Sequence, residues 1–287
     1  MQTAMAIDLD SVRLDRRRMF TLASAAAAVA VVGPGRLGAA AQGEPTLAVV
    51  SPADGATVTT NDIPVQLEVG NFALDGAAFG RPAQTGSGEV LAFVDGATIA
   101  QLTNFYSTDS LVVAGDGLAP GPHTLIFLLA SSSHEPIMAT AQQVTIDFRP
   151  PQPVPLPVAN YTGEPALALV SPEDGATVAS SFEVQVRPTN FTPATALEGK
   201  TNVPGYGHYH VWVDTAEMPA SLAGLALMPG TNGFTLDLSA WGEGEHTIRI
   251  EPAQNDHTMY DPATAVTFTV TVSAAAPAAT PVSSPTS

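Results

Sequence analysis

A phrase near the start of the chain, Leu47-Ala48-Val49-Val50-Ser51-Pro52-Ala53-Asp54-Gly55-Ala56-Thr57-Val58, returns as Leu167-Ala168-Leu169-Val170-Ser171-Pro172-Glu173-Asp174-Gly175-Ala176-Thr177-Val178. The correspondence continues. Asn71-Phe72 matches Asn190-Phe191, and the segment from Gly88 to Asp95 matches Gly207 to Asp214. Further on, Gly121-Pro122-His123-Thr124 matches Gly244-Glu245-His246-Thr247. A period of about 120 residues is that of a whole domain rather than of a solenoid repeat, so each copy must bury its own core. Between the copies, Arg149-Pro150-Pro151-Gln152-Pro153-Val154-Pro155-Leu156-Pro157 is proline-dense and reads as an extended, semi-rigid spacer.

Within each copy, short apolar or alternating runs are separated by turn residues. In the first copy they fall at 63–69, 90–94, 110–113, 124–129 and 144–148, and none has a helical period. Phe182-Glu183-Val184-Gln185-Val186-Arg187 alternates apolar and polar without a slip, as a strand with one wet face must. About seven strands in about 100 residues argue for a β-sandwich. The expected fold is therefore all-β, with two tandem immunoglobulin-like β-sandwich domains at 44–148 and 165–273, joined by a linker at 149–164. Cleavage in that linker is expected to release two protease-resistant fragments. The opening of each copy resembles bacterial immunoglobulin-like domains, whose first strand carries a Ser-Pro-x-x-Gly-Ala-x-Val phrase like those at 51–58 and 171–178. That resemblance implies fold and not function.

Residues 1–41 read as a removable export signal, because Arg16-Arg17-Arg18-Met19-Phe20 precedes an Ala-rich apolar run and Ala39-Ala40-Ala41 offers a cleavage site. The arginine pattern resembles the twin-arginine export signal. The run is too short to span a bilayer, so no membrane insertion is expected and the protein is placed outside the cytoplasm, secreted or periplasmic. Residues 274–287, rich in Ala, Ser, Thr and Pro, read as a disordered tail. There is no cysteine, which excludes disulfides and thiolate metal sites. Without the signal, five basic residues remain against 24 acidic ones, a net charge of −19. Such a surface repels phosphate backbones, so nucleic acid is not an expected partner, and it favours cations.

No P-loop, nucleophile elbow or HExxH stands in the sequence, and the carboxylates are scattered singly, so no catalytic residue is assigned and no enzyme is expected. What remains is Gly207-His208-Tyr209-His210-Val211-Trp212-Val213, two of six histidines set at i and i+2 in a strand. Alternate side chains of a strand share a face about 6–7 Å apart, so His208 and His210 point the same way, as in the His-x-His half of a three-histidine metal site. A strand pair without a role and a polar patch that contacts a ligand are the competing readings. Trp212 shares that face and is expected in the core, where such sandwiches bury a tryptophan.

The second copy also resembles a family of secreted bacterial domains of unknown function, numbered 4399, in which a Gly-His-x-His strand is followed by a Gly-x-His-Thr turn and a further histidine. Here these positions are His208, His210, His246 and His257. The resemblance implies a metal role and carries no activity. In an immunoglobulin-like sandwich the strands around 211–213 and 247–251 are antiparallel neighbours, which puts His246 beside Asp214 and roughly 13 Å from His210. His257 falls on the loop next to His208. The expected ligands are thus His208, His210 and His257, with His246 and Asp256 less favoured and Asn255 and Tyr260 as supporting groups. His134, at the matching place in a copy that carries Glu89 and Leu91, counts against His257. Neutral imidazoles without thiolates suit copper or zinc rather than calcium or magnesium. The function expected is that of an exported, non-enzymatic metal-binding protein. The alternative is a cell-surface or secreted adhesion or spacer protein with no metal, its protein or cell-envelope partner unidentified.

Overall fold

The computed structural model describes residues 43–151, 161, 163–215, 222, 224–260 and 264–274. The export signal, most of the linker and nearly all of the tail lie outside the described residues. In the first copy the strands are β1 (Thr46–Ser51), β2 (Ala56–Val58), β3 (Asp62–Gly70), β4 (Ala73–Leu74), β5 (Ser87–Val94), β6 (Leu102–Tyr106), β7 (Ser110–Ala114), β8 (Gly121–Ser131) and β9 (Gln142–Phe148). The second copy repeats them as β10 (Ala166–Ser171), β11 (Ala176–Val178), β12 (Ser181–Thr189), β13 (Thr192–Pro193), β14 (Tyr206–Val213), β15 (Leu225–Leu227), β16 (Gly233–Asp237), β17 (Gly244–Ala253) and β18 (Val266–Val272). Edge pieces of two or three residues raise the strand number above the expected seven.

Each copy is an immunoglobulin-like sandwich. A three-stranded sheet, β1-β3-β7 or β10-β12-β16, faces a larger one, β2-β9-β8-β5 or β11-β18-β17-β14, whose β5 or β14 edge is shared by two short strands. Alternation decides which side chains enter the core. Ile63, Val65 and Leu67 of β3 are buried between exposed or half-buried Pro64, Gln66 and Glu68, and Phe182, Val184 and Val186 of β12 do the same. Their partners are Val90, Ala92 and Val94 of β5 in one core and Tyr209, Val211 and Val213 of β14 in the other.

In β5 and β14, however, nearly every residue is buried, on both faces. The second face is covered by the other sandwich. Leu91 and Phe93 of β5, Ile126, Leu128 and Ala130 of β8, and Leu102 form one apolar cluster with Trp212, Leu222 and Leu225 of the second copy. The contacts around it are reciprocal. Arg81 pairs with Asp237, and the matching Lys200 pairs with Asp116. Gly80 and Gly199, both in the left-handed region (φ 70° and 72°), bring each copy's short 3₁₀ turn onto the other's edge strand, where an added Cβ would stand 2.1 Å from the Ala226 carbonyl oxygen and 1.8 Å from that of Thr103. One expectation changes as a result. Trp212 lies between the sandwiches and not inside one, because it has the outward parity of β14. The two copies share this interface, so fragments cut at the linker are expected to stay associated through it.

Candidate metal centre

His208 and His210 project from the outward face of β14. Across from them on β17, His208 is opposed by Ala253 and His210 by Glu251. Beyond β17 the chain reverses: Gln254 N–H donates to the Thr258 carbonyl (2.7 Å), and His257 N–H to the Gln254 carbonyl (3.1 Å). His257 takes a left-handed conformation at the tip (φ 64°), which turns its ring back over His208. All three histidines are fully buried. The ring centroids of His208 and His210 are 4.8 Å apart, those of His208 and His257 4.8 Å, and those of His210 and His257 5.9 Å. One ligating nitrogen from each lies within 4.8 Å of the others.

The Nε2 atoms of His208 and His210 face each other at 2.9 Å. Nδ1 of His208, Nδ1 of His210 and both ring nitrogens of His257 have no hydrogen-bond partner. A buried polar atom left without a partner costs on the order of 1–3 kcal/mol, so four together ask for an explanation. Burial also keeps the rings uncharged. It holds His208 and His210 well below the ordinary imidazole range, with repulsion from His257 on His208 and from His208, His257 and His134 on His210 adding to it. Burial lowers His257 to about 4, against a smaller opposing pull from the Thr103 backbone, which lies near the ring without completing a hydrogen bond. Three neutral imidazoles therefore converge at neutral pH, and in the contact between the two Nε2 atoms one donates and the other accepts.

The first copy supplies an internal control. His134 matches His257 in position and in its left-handed backbone (φ 64°). Its Nδ1 bonds the Glu89 carboxyl and its Nε2 donates to the Leu225 carbonyl of the other sandwich (2.9 Å), so neither nitrogen is free. The same turn thus gives a saturated imidazole where the strand carries Glu89 and an unsaturated one where it carries His208.

The other candidates are set apart from the cluster. His246 bonds Asp214 through Nδ1 (2.7 Å) and the Gly242 carbonyl through Nε2 (3.2 Å), as His123 bonds Asp95 (2.6 Å) and the Ala119 carbonyl (2.7 Å). Both nitrogens of His246 are spent on fastening a hairpin away from the three clustered histidines. Asp256 is likewise engaged locally. Its carboxylate accepts from Thr258 N–H (3.0 Å) and Oγ1 (2.5 Å) and so braces its own turn. Tyr260 is held between Gly205 N–H and the Tyr206 carbonyl, and Asn255 donates to the Thr201 carbonyl while its buried Oδ1 has no partner.

Two further groups belong to the surroundings. The Trp212 ring stands 5.4 Å from that of His210 at 77°. Glu251 is buried, with Oε2 accepting from Arg249 Nε (3.0 Å) and Nη2 (2.7 Å) and Oε1 unpartnered. Its place was readable in advance: pairing Asp214 with Thr247 fixes a hairpin register in which residue 251 faces residue 210.

No family model matches the chain, and no curated protein matches it. Among solved structures, the fibronectin(III)-like modules of Clostridium thermocellum CbhA align at 13% identity and a TM-score of 0.24, over 79% of this chain and 94% of that one. A tetra-tandem repeat from the extending region of a large adhesion protein aligns at 12% identity and a TM-score of 0.21, over 80% of this chain and 49% of that one. The N-terminal four immunoglobulin domains of Dscam1 isoform 4.44 align at 8% identity and a TM-score of 0.18, over 80% and 45%. The chain spans about half the length of the last two.

Proposed function

We propose that this is an exported, non-enzymatic protein of two packed sandwiches that holds one copper(II) or zinc ion through Nε2 of His208, Nε2 of His210 and a ring nitrogen of His257. The observation that carries the reading is the contrast between His257, with two free nitrogens beside two neutral imidazoles, and His134, with none. Nitrogens each about 2.0–2.1 Å from one ion stand about 3.3 Å apart at the tetrahedral angle, so the 2.9 Å separation needs only a slight opening. The donor set contains no oxygen-rich shell of the kind calcium or magnesium requires, and the Irving–Williams order favours copper. The competing reading is an adhesion or spacer module with no metal, which the tandem architecture supports and which leaves the convergence of three buried imidazoles without a purpose.

The experiment is calorimetric titration of the intact mature chain with copper(II) and zinc at neutral pH, since the first sandwich covers the site. Copper at His210 lies close enough to Trp212 to quench its fluorescence, and Trp241→Phe leaves Trp212 as the only tryptophan, excited selectively over the tyrosines. One-to-one binding with quenching, lost in His210→Ala, is the expected result. No heat, or heat unchanged in the variant, refutes the metal reading and leaves the spacer.

A further inference from the structure

Two polar atoms near His210 are complementary and each lacks a partner. Nδ1 of His210 has none because its Nε2 is turned toward His208, and Oε1 of Glu251 has none because Arg249 engages only Oε2. They belong to directly opposed residues of β14 and β17 that share the outward face. The Cβ atoms of such a pair lie about 4.5–5.5 Å apart, within which an imidazole and a carboxylate meet by side-chain rotation alone. Both residues are buried, so no bulk solvent competes for either atom. Burial raises the Glu251 carboxyl above the usual carboxylate range, and the Arg249 guanidinium beside it opposes that shift in part while leaving Oε1 open.

We infer that Glu251 is a positioning residue for this centre: its Oε1 accepts the Nδ1–H of His210 and so holds that ring in the tautomer whose Nε2 carries the lone pair. The inference deepens the metal reading and rests on it for its purpose. The contact needs no metal, only rotation of two side chains whose facing atoms stand unpartnered in the structure. A ligating histidine whose other N–H is held by a carboxylate is fixed in orientation and made more basic, and loss of such a partner weakens metal binding roughly 10–100-fold. Without Glu251, the 2.9 Å approach of the two Nε2 atoms lets His210 place its proton on Nε2 and donate to His208, the wrong tautomer for binding.

Long-range ¹H–¹⁵N correlation of histidine side chains in the metal-free intact chain at neutral pH reads the tautomer directly. Wild-type His210 is expected with its proton on Nδ1. In Glu251→Gln the single carbonyl oxygen is taken by Arg249 and the amide N–H₂ faces His210, so the proton moves to Nε2 and the zinc dissociation constant rises roughly 10–100-fold. The Arg249→Met/Glu251→Met double variant removes the ion pair as a unit, should the glutamine variant fold poorly, and is expected to shift the tautomer in the same direction. An Nδ1 proton retained in the variants, or an Nε2 proton already present in the wild type, overturns the inference. A tautomer that responds as expected in a protein that binds neither zinc nor copper upholds the contact and sinks the metal reading instead.

Discussion

Acid should destabilise the metal-free protein through His257, and the magnitude follows from its surroundings. Burial lowers this imidazole from 6.5 to about 4. A base whose folded value is depressed takes up its proton in the unfolded chain first. Its contribution is therefore complete above pH 6.5 and is lost as pH falls through the window from about 6.5 to 4. At 1.36 kcal/mol per unit, the loss is about 2 kcal/mol by pH 5 and approaches roughly 3 kcal/mol near pH 4. His208 and His210 are shifted in the same direction and steepen the fall. His123 acts oppositely. It is raised because the Ala119 carbonyl and Asp95 outweigh the burial that opposes them, so its contribution is full below its unfolded value and declines as pH rises. The suitable variant is His257→Asn, since asparagine tolerates the left-handed backbone at this position (φ 64°) and carries no titrating group. Urea unfolding of both proteins in the presence of a chelator, from pH 7.5 to 4.5, gives the difference. Wild type should lose about 2 kcal/mol more than the variant by pH 5. Parallel pH profiles would refute the claim that His257 is buried and neutral.

Gly199→Ala should weaken the packing between the sandwiches, because its Cβ would meet the Thr103 carbonyl at 1.8 Å, whereas Gly55→Ala shares the positive φ but meets nothing within 4 Å. Cleaving each protein in the proline linker and running size exclusion checks this: wild-type and Gly55→Ala fragments co-elute, and Gly199→Ala fragments separate. His246→Ala should lower stability by about 1–2 kcal/mol through loss of the Asp214 and Gly242 contacts and leave copper titration unchanged, which calorimetry of the variant would show.

The repeat of residues 47–58 at 167–178, the period-2 alternation in 182–187 and the common face of His208 and His210 were all legible in the chain, because strand geometry is local and its consequences reach only a residue or two. Hairpin register extended this to His246 beside Asp214 and to His257 on the loop next to His208. Convergence of the third histidine, by contrast, depends on a left-handed turn that folds His257 back onto β14, and the same turn in the first copy yields the saturated His134. That difference is made by one strand position, Glu89 against His208, and by the Leu225 carbonyl, which arrives from the other sandwich. Burial of the cluster, the lowering of its basicity and the removal of Trp212 from the core all come from the docking of two outer sheet faces. The apolar outward residues Leu91, Phe93 and Trp212 hinted that these faces are covered, yet apolar parity says that a face is dry and not what dries it. Which surface meets which is a property of two folded sheets, and only their packing turned a pair of strand histidines into a closed, uncharged, three-nitrogen centre.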